Sequence, residues 1–61
     1  MGIIVELNSG VTDGNGKELF AVYRLCENGT KRNKRYFSRL ENAYITARKE
    51  SKINNCKIVI K

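Results

Sequence analysis

Apolar and polar positions along this chain fall into two periods. Residues Ile3–Leu7, "IIVEL", are short and β-branched, which predicts a strand with Ile3, Val5 and Leu7 on one side and Ile4 and Glu6 on the other. The stretch "NSGVTDGNGK" then concentrates Asn, Ser, Asp and Gly, residues that bond their own backbone or accept positive φ, and reads as a loop with Asn15-Gly16 as a tight turn at its end. Glu18–Glu27, "ELFAVYRLCE", is apolar on both faces, as a central strand is. Asn28-Gly29 after it is a strong hairpin signal. With those two residues as the whole turn, facing residues sum to 57. Phe20 then faces Phe37, Ala21 faces Tyr36, Val22 faces Arg35 and Tyr23 faces Lys34.

The period changes at Ser38. "SRLE" (Ser38–Glu41) fits a capping box, in which Ser38 and Glu41 satisfy each other's backbone N–H groups. Leu40, Ala43, Tyr44 and Ala47 recur at helical spacing, so a helix is expected from Arg39 to Lys52, with Ile53 extending its apolar contact and Asn54-Asn55 ending it. "CKIVIK" (Cys56–Lys61) is a last strand, Cys56, Ile58 and Ile60 on one side and Lys57, Val59 and Lys61 on the other. The order is β-β-β-α-β, an α+β domain: one mainly antiparallel sheet covered on one face by a single helix. The inward set is Ile3, Val5, Leu7, Phe20, Val22, Phe37, Leu40, Ala43, Tyr44, Ala47, Ile58 and Ile60.

Alternation then places Ala21, Tyr23, Leu25, Tyr36, Lys34 and Arg32 on the uncovered face. Here composition changes the picture. The chain has 61 residues, one domain, with 12 Lys+Arg against 6 Asp+Glu and a net charge of +6. Four cations, Lys31, Arg32, Lys34 and Arg35, crowd into the strand before Tyr36 and Phe37. Cations bind phosphates, aromatic rings stack on bases, and a two-stranded ribbon can enter a major groove. The expected partner is DNA or RNA. The same features have plainer uses, since charge protects a sheet edge from aggregation and tyrosine fills solvent faces. A third reading joins Ile4, Ala21, Tyr23, Leu25, Tyr36 and Val59 into an apolar patch that would pair with another protein or a second copy.

Chemistry of other kinds finds little support. The chain lacks histidine, and Cys26 and Cys56 are not spaced as a metal pair, so no metal or other cofactor is expected. No nucleophile stands beside a plausible base, and a domain burying only about 60% of its unfolded surface has little room for a walled cleft. A non-enzymatic protein is expected. The "MGIIVEL" start lacks the pattern of a secretory signal, and no segment has membrane-spanning length, so the reading is cytoplasmic with two reduced thiols.

Residues Phe20–Arg48 resemble two groups of small proteins. The hairpin followed by Tyr36-Phe37-Ser38-Arg39-Leu40-Glu41-Asn42-Ala43 is similar to the F-x-[TS]-x-x-[ED]-A pattern of integrase arm-binding domains and the related AP2-type domains. That resemblance implies a sheet laid on DNA and implicates Arg24, Arg32, Lys34 and Tyr36. With Tyr23, Lys31 and Arg35 from the hairpin itself, these make the candidate nucleic-acid site. The closing "CKIVIK" instead resembles small uncharacterised bacterial and phage proteins of hairpin–helix–strand form. This second resemblance implies no activity; the small size, single domain and Asn/Lys-rich composition suit a phage or mobile-element accessory protein, and the alternative is a phage-encoded modulator of a host protein, as a monomer or a homodimer.

Overall fold

The computed structural model describes residues 2–61. Strand β1 spans Gly2–Glu6, β2 Phe20–Leu25 and β3 Lys31–Phe37; helix α1 spans Leu40–Asn54, and β4 spans Lys57–Ile60. The four strands form one mixed sheet in the order β3-β2-β1-β4, with α1 packed on one face. β1 pairs antiparallel with β2, β2 antiparallel with β3, and β4 runs parallel to β1. The parallel pair follows from the count of elements. β1 and β3 run one way, the helix returns the chain, and β4 must run with β1.

Each strand turns one set of side chains to the helix. Ile3, Val5, Val22, Ala43 and Ala47 are fully buried together, and Leu7, Phe20, Phe37, Leu40, Tyr44, Cys56 and Ile58 pack around them. This is the expected inward set with two differences: Cys56 joins it and Ile60 does not. Ile60, at the end of an edge strand, remains 45% exposed. The alanines at 43 and 47 allow the helix backbone close to the β-branched sheet surface, where a larger residue would strain the packing.

The helix ends differ from one another. Ser38 forms no cap: α1 begins one residue later than the capping box requires, with an extended Arg39 at the N-cap position and no side-chain bond there. β3 holds the chain in strand geometry through Phe37, so Ser38 is spent on the turn into the helix. The other end stops as expected. Asn55 adopts the left-handed conformation (φ 52°), and the N–H groups of Asn55 and Cys56 both donate to the carbonyl of Ser51. Beyond Ala47 the sheet-facing stripe continues through Glu50 and Asn54, which are half-buried, whereas Ile53 points outward at 78% exposure. The predicted apolar extension at Ile53 is thus replaced by a polar one.

Both hairpin tips are built the same way. Gly29 N–H donates to Cys26 O and Cys26 N–H to Thr30 O; Gly16 N–H donates to Asp13 O and Asp13 N–H to Lys17 O. Each loop therefore holds three residues, with Asn-Gly in the last two places and the glycine at positive φ (86° and 81°). The two-residue turn expected at Asn28-Gly29 is not formed, and Leu25 pairs with Lys31 and Arg24 with Arg32. Farther on, a bulge at Asn33 (φ 55°) takes up one residue of β3, and the expected register returns at Val22–Arg35, Ala21–Tyr36 and Phe20–Phe37.

Cys26 and Cys56 are free. Leu25, Gly2 and Lys57 lie side by side across three strands, so the adjoining cysteines are separated by a strand. At about 4.8 Å per strand that is about 9–10 Å, beyond the ~7 Å reach of a disulfide.

Candidate nucleic-acid interface

β3 is an edge strand, and its residues Lys31–Tyr36 are all exposed. The bulge decides where its cations go. On the face away from the helix, Lys31 sits opposite Leu25, and the Lys31 and Lys34 ammonium groups lie 5.1 and 5.5 Å from the centre of the Tyr23 ring. Lys34 is also 5.7 Å from the Tyr36 ring and 3.6 Å from the Glu6 carboxylate. Glu6 Oε1 is buried with no hydrogen bond, since that separation is an ion pair and not a donor–acceptor contact.

This face is not bare. Ile4 and Ala21 are buried, and Tyr23, expected to be open for stacking, is only 4% exposed beneath the two lysines. The reason is local. Tyr23 lies against Ile4 on the neighbouring strand, and the Lys31 and Lys34 ammonium groups lie over its ring. Burial, and then the Glu6 carboxylate, push the Tyr23 phenol above its ordinary value of 10.0, while Lys34 pulls it down. The apolar patch expected from Ile4, Ala21, Tyr23, Leu25, Tyr36 and Val59 is therefore largely closed within the chain. Of the two tyrosines, Tyr36 is the open one, at 42% exposure.

The remaining cations lie on the helix side. Arg24 faces Ile3 across the β1–β2 ladder and Arg32 across the β2–β3 ladder, so both share the helix face. Arg32 was expected on the open face, and Arg24 was grouped with it there. The one-residue shift between the turn and Asn33 moves Arg32 across the strand. Arg24 Nη1 donates to Asn54 Oδ1 at 2.6 Å, Asn54 Nδ2 donates to Glu50 Oε2 at 3.0 Å, and Arg35 Nη2 donates to Glu50 Oε1 at 3.0 Å. Arg24 and Arg35 are thus tied to the C-terminal half of α1 through two residues that periodicity alone assigned to no role. The signal was present: Ala43, Ala47, Glu50 and Asn54 continue one stripe at spacings of three and four.

The seven predicted site residues consequently divide into two sets. Lys31, Lys34, Tyr36 and the covered Tyr23 share the open face. Arg32 and Arg35 line the same edge from the helix side, and Arg24 is anchored behind them. Among the described residues, no helix is long and apolar enough to cross a membrane. In comparison with known proteins, the chain matches no family model, no curated protein and no solved structure.

Proposed function

We propose that the protein is a non-enzymatic nucleic-acid-binding module that grips the phosphate backbone with β3. One observation carries this reading: four cations on an edge strand exposed from Lys31 to Tyr36, two directed to each side of it, with Tyr36 open beside them. A phosphate chain running along the edge meets lysines on one side and arginines on the other. Arginine forks suit phosphate oxygens, lysines add point charge, and Tyr36 offers a ring for a base or sugar. Tyr23 and Arg24 support this comb from behind and do not contact the ligand. The resemblance to integrase arm-binding domains favours the same sheet. Exchange for phosphate costs about 0–1 kcal/mol at the Arg35–Glu50 pair, whose arginine is half exposed, and more at Lys34, because it leaves the buried Glu6 Oε1 without a counter-charge.

Fluorescence anisotropy with labelled duplex DNA, single-stranded DNA and RNA across a salt series tests this. For four phosphates on duplex DNA the slope of log K against log salt is about −3.6. Replacing Lys31, Arg32, Lys34 and Arg35 together by Gln should abolish binding while the far-ultraviolet circular dichroism is kept. Equal binding by that variant would overturn the reading. A second reading, a protein-interaction module, draws on a different part of the surface, at β4.

A further inference from the structure

We infer that the free edge of β4, with the groove between it and α1, is a docking site for an acidic, extended segment of a partner protein, which adds a fifth strand to the sheet. β4 lies at the opposite edge from β3. Lys61 N–H donates to Val5 O and Lys61 O accepts from Leu7 N–H, so Lys61 spends both backbone groups on β1. By the alternation of a parallel ladder, Val59 does likewise, and the N–H and C=O groups of Ile58 and Ile60 point outward, with no further strand among the described residues to receive them.

The two edges are finished differently. β3 carries four cations and a bulge, each a recognised protection against a further strand. The middle of β4 is Ile58-Val59-Ile60, without charge. Beside it runs a groove of about 490 Å³ lined by Ile45, Arg48, Lys49, Ser51, Lys52 and Ile58. Ile45, 46% exposed, and the half-buried Ile58 give this groove a floor for alternate apolar side chains of an added strand. The adjoining hollow toward the helix start brings in a single carboxylate, Glu41.

Charge names the occupant. Arg48, Lys49 and Lys52 rim the groove, and Lys57 and Lys61 bracket the strand. Among the described residues none of the five makes an ion pair. A second copy fits poorly: antiparallel pairing centred on Val59 sets Lys57 of one copy opposite Lys61 of the other at both ends, a repulsive arrangement. An added strand with acidic residues on the Lys57–Lys61 face, apolar residues toward Ile45 and Ile58, and an acidic end residue on the helix side for the Arg48–Lys52 rim satisfies the backbone, the floor and the charge.

The probe is a fluorescein-labelled peptide, Asp-Ile-Glu-Val-Asp-Ile-Glu-Asp, titrated with the full chain by anisotropy. The control has Pro in place of Val, with the same charge but no continuous ladder. The first peptide should bind about tenfold more tightly than the control and should slow amide exchange at Ile58 and Ile60. The variant Arg48→Glu/Lys49→Glu/Lys52→Glu, on exposed helix positions, should lose about tenfold in affinity. Ile60→Pro, which removes an outward N–H while leaving the β1 ladder intact, should do the same; a melting curve for each variant separates lost binding from lost folding. Equal binding of the two peptides would reduce the site to unspecific charge attraction and overturn the inference. So would protection of Ile58 and Ile60 by duplex DNA instead of peptide, or by concentration-dependent dimerisation of the chain alone. None of these outcomes depends on the cations of β3, so this inference and the nucleic-acid reading fail separately.

Discussion

Glu50 is where stability and the proposed binding should move in opposite directions. Its carboxylate accepts from Arg35 and from the Asn54 amide, each at 3.0 Å, and Asn54 in turn presents its oxygen to Arg24. The Arg35 side chain is half exposed, so that pair contributes about 0.5–1 kcal/mol after screening by solvent. The part-buried bond from Asn54 adds about 1 kcal/mol, the value of an ordinary hydrogen bond, because solvent reaches the carboxylate. Arg24 stands to lose more, since its Nε is already buried without a partner and Asn54 is the contact that orients its guanidinium. Glu50→Ala should therefore cost about 1–2 kcal/mol. For a domain of this size that is a fall in melting temperature of about 5–15 °C, out of a net stability of only ~3–5 kcal/mol.

The functional arm uses Glu50→Gln, which keeps the shape of the side chain and raises the net charge from +6 to +7 by removing one negative charge. It releases Arg35 from its competing carboxylate. Duplex DNA should bind about two- to fivefold more tightly at low salt, the ratio equivalent to the ~0.5–1 kcal/mol no longer spent on the ion pair. Thermal melts followed by far-ultraviolet circular dichroism read the first effect and anisotropy reads the second. A double-mutant cycle with Arg35→Ala isolates the pair itself. A Glu50→Ala protein that melts with the wild type would show that the polar end of α1 contributes nothing to holding the sheet. Unchanged DNA affinity in Glu50→Gln would remove Arg35 from the interface.

Two other predictions concern the open face. With Tyr36→Phe and Tyr44→Phe leaving Tyr23 as the only tyrosine, absorbance titration should show its phenol ionising above pH 10.0, with Glu6→Gln lowering the midpoint and Lys34→Gln raising it. The folded protein then holds this proton more tightly than the unfolded chain. Stability is unaffected below pH 10.0 and falls as the pH rises beyond it toward the raised folded value; a midpoint at or below 10.0 would contradict the burial of Tyr23. Asn33→Val places a β-branched residue at φ 55°, at a cost of about 1–2 kcal/mol, and should drive the hairpin to a two-residue turn that brings Arg32 to Tyr23 in place of Lys31. Persistence of the Lys31–Tyr23 nuclear Overhauser contacts at unchanged stability would refute that.

The strands were legible as short β-branched and aromatic runs bounded by Asn- and Gly-rich turns, and the helix because apolar residues of 40–47 keep a period near 3.6. The helix stop at Asn54-Asn55 was legible for a conformational reason, since asparagine tolerates the left-handed region the stop requires. What failed was counting. Asn-Gly announces a turn but not its length, and both hairpins use it in a three-residue loop. Ser38 and Glu41 have the spacing of a capping box, but strand pairing through Phe37 delays the helix by one residue, and pairing wins over an exposed cap worth about 1 kcal/mol. Charge patterning gave the candidate edge, yet it does not say which cation faces which way, and there a single residue of register decides.

That single residue also explains which cation type ends up where. Closed by a two-residue turn with no bulge, the hairpin would put Arg32 and Lys34 on the open face and Lys31 and Arg35 against the helix. The three-residue loop exchanges Lys31 with Arg32, and the Asn33 bulge then restores the parity that Phe37 needs to reach the core. The outcome is a separation by chemistry. Lysines, with flexible stems and compact charge, lie over the tyrosine faces, while arginines occupy the side where Glu50 and Asn54 await planar donors. Phe37 fixes the parity at one end of the hairpin and Asn28-Gly29 permits two closures at the other, so the sorting of cations is the property that distinguishes them. A bulge in mid-strand is thus tied to the composition of both faces of the edge, and an edge so finished is protected against a further strand in a way that β4 is not.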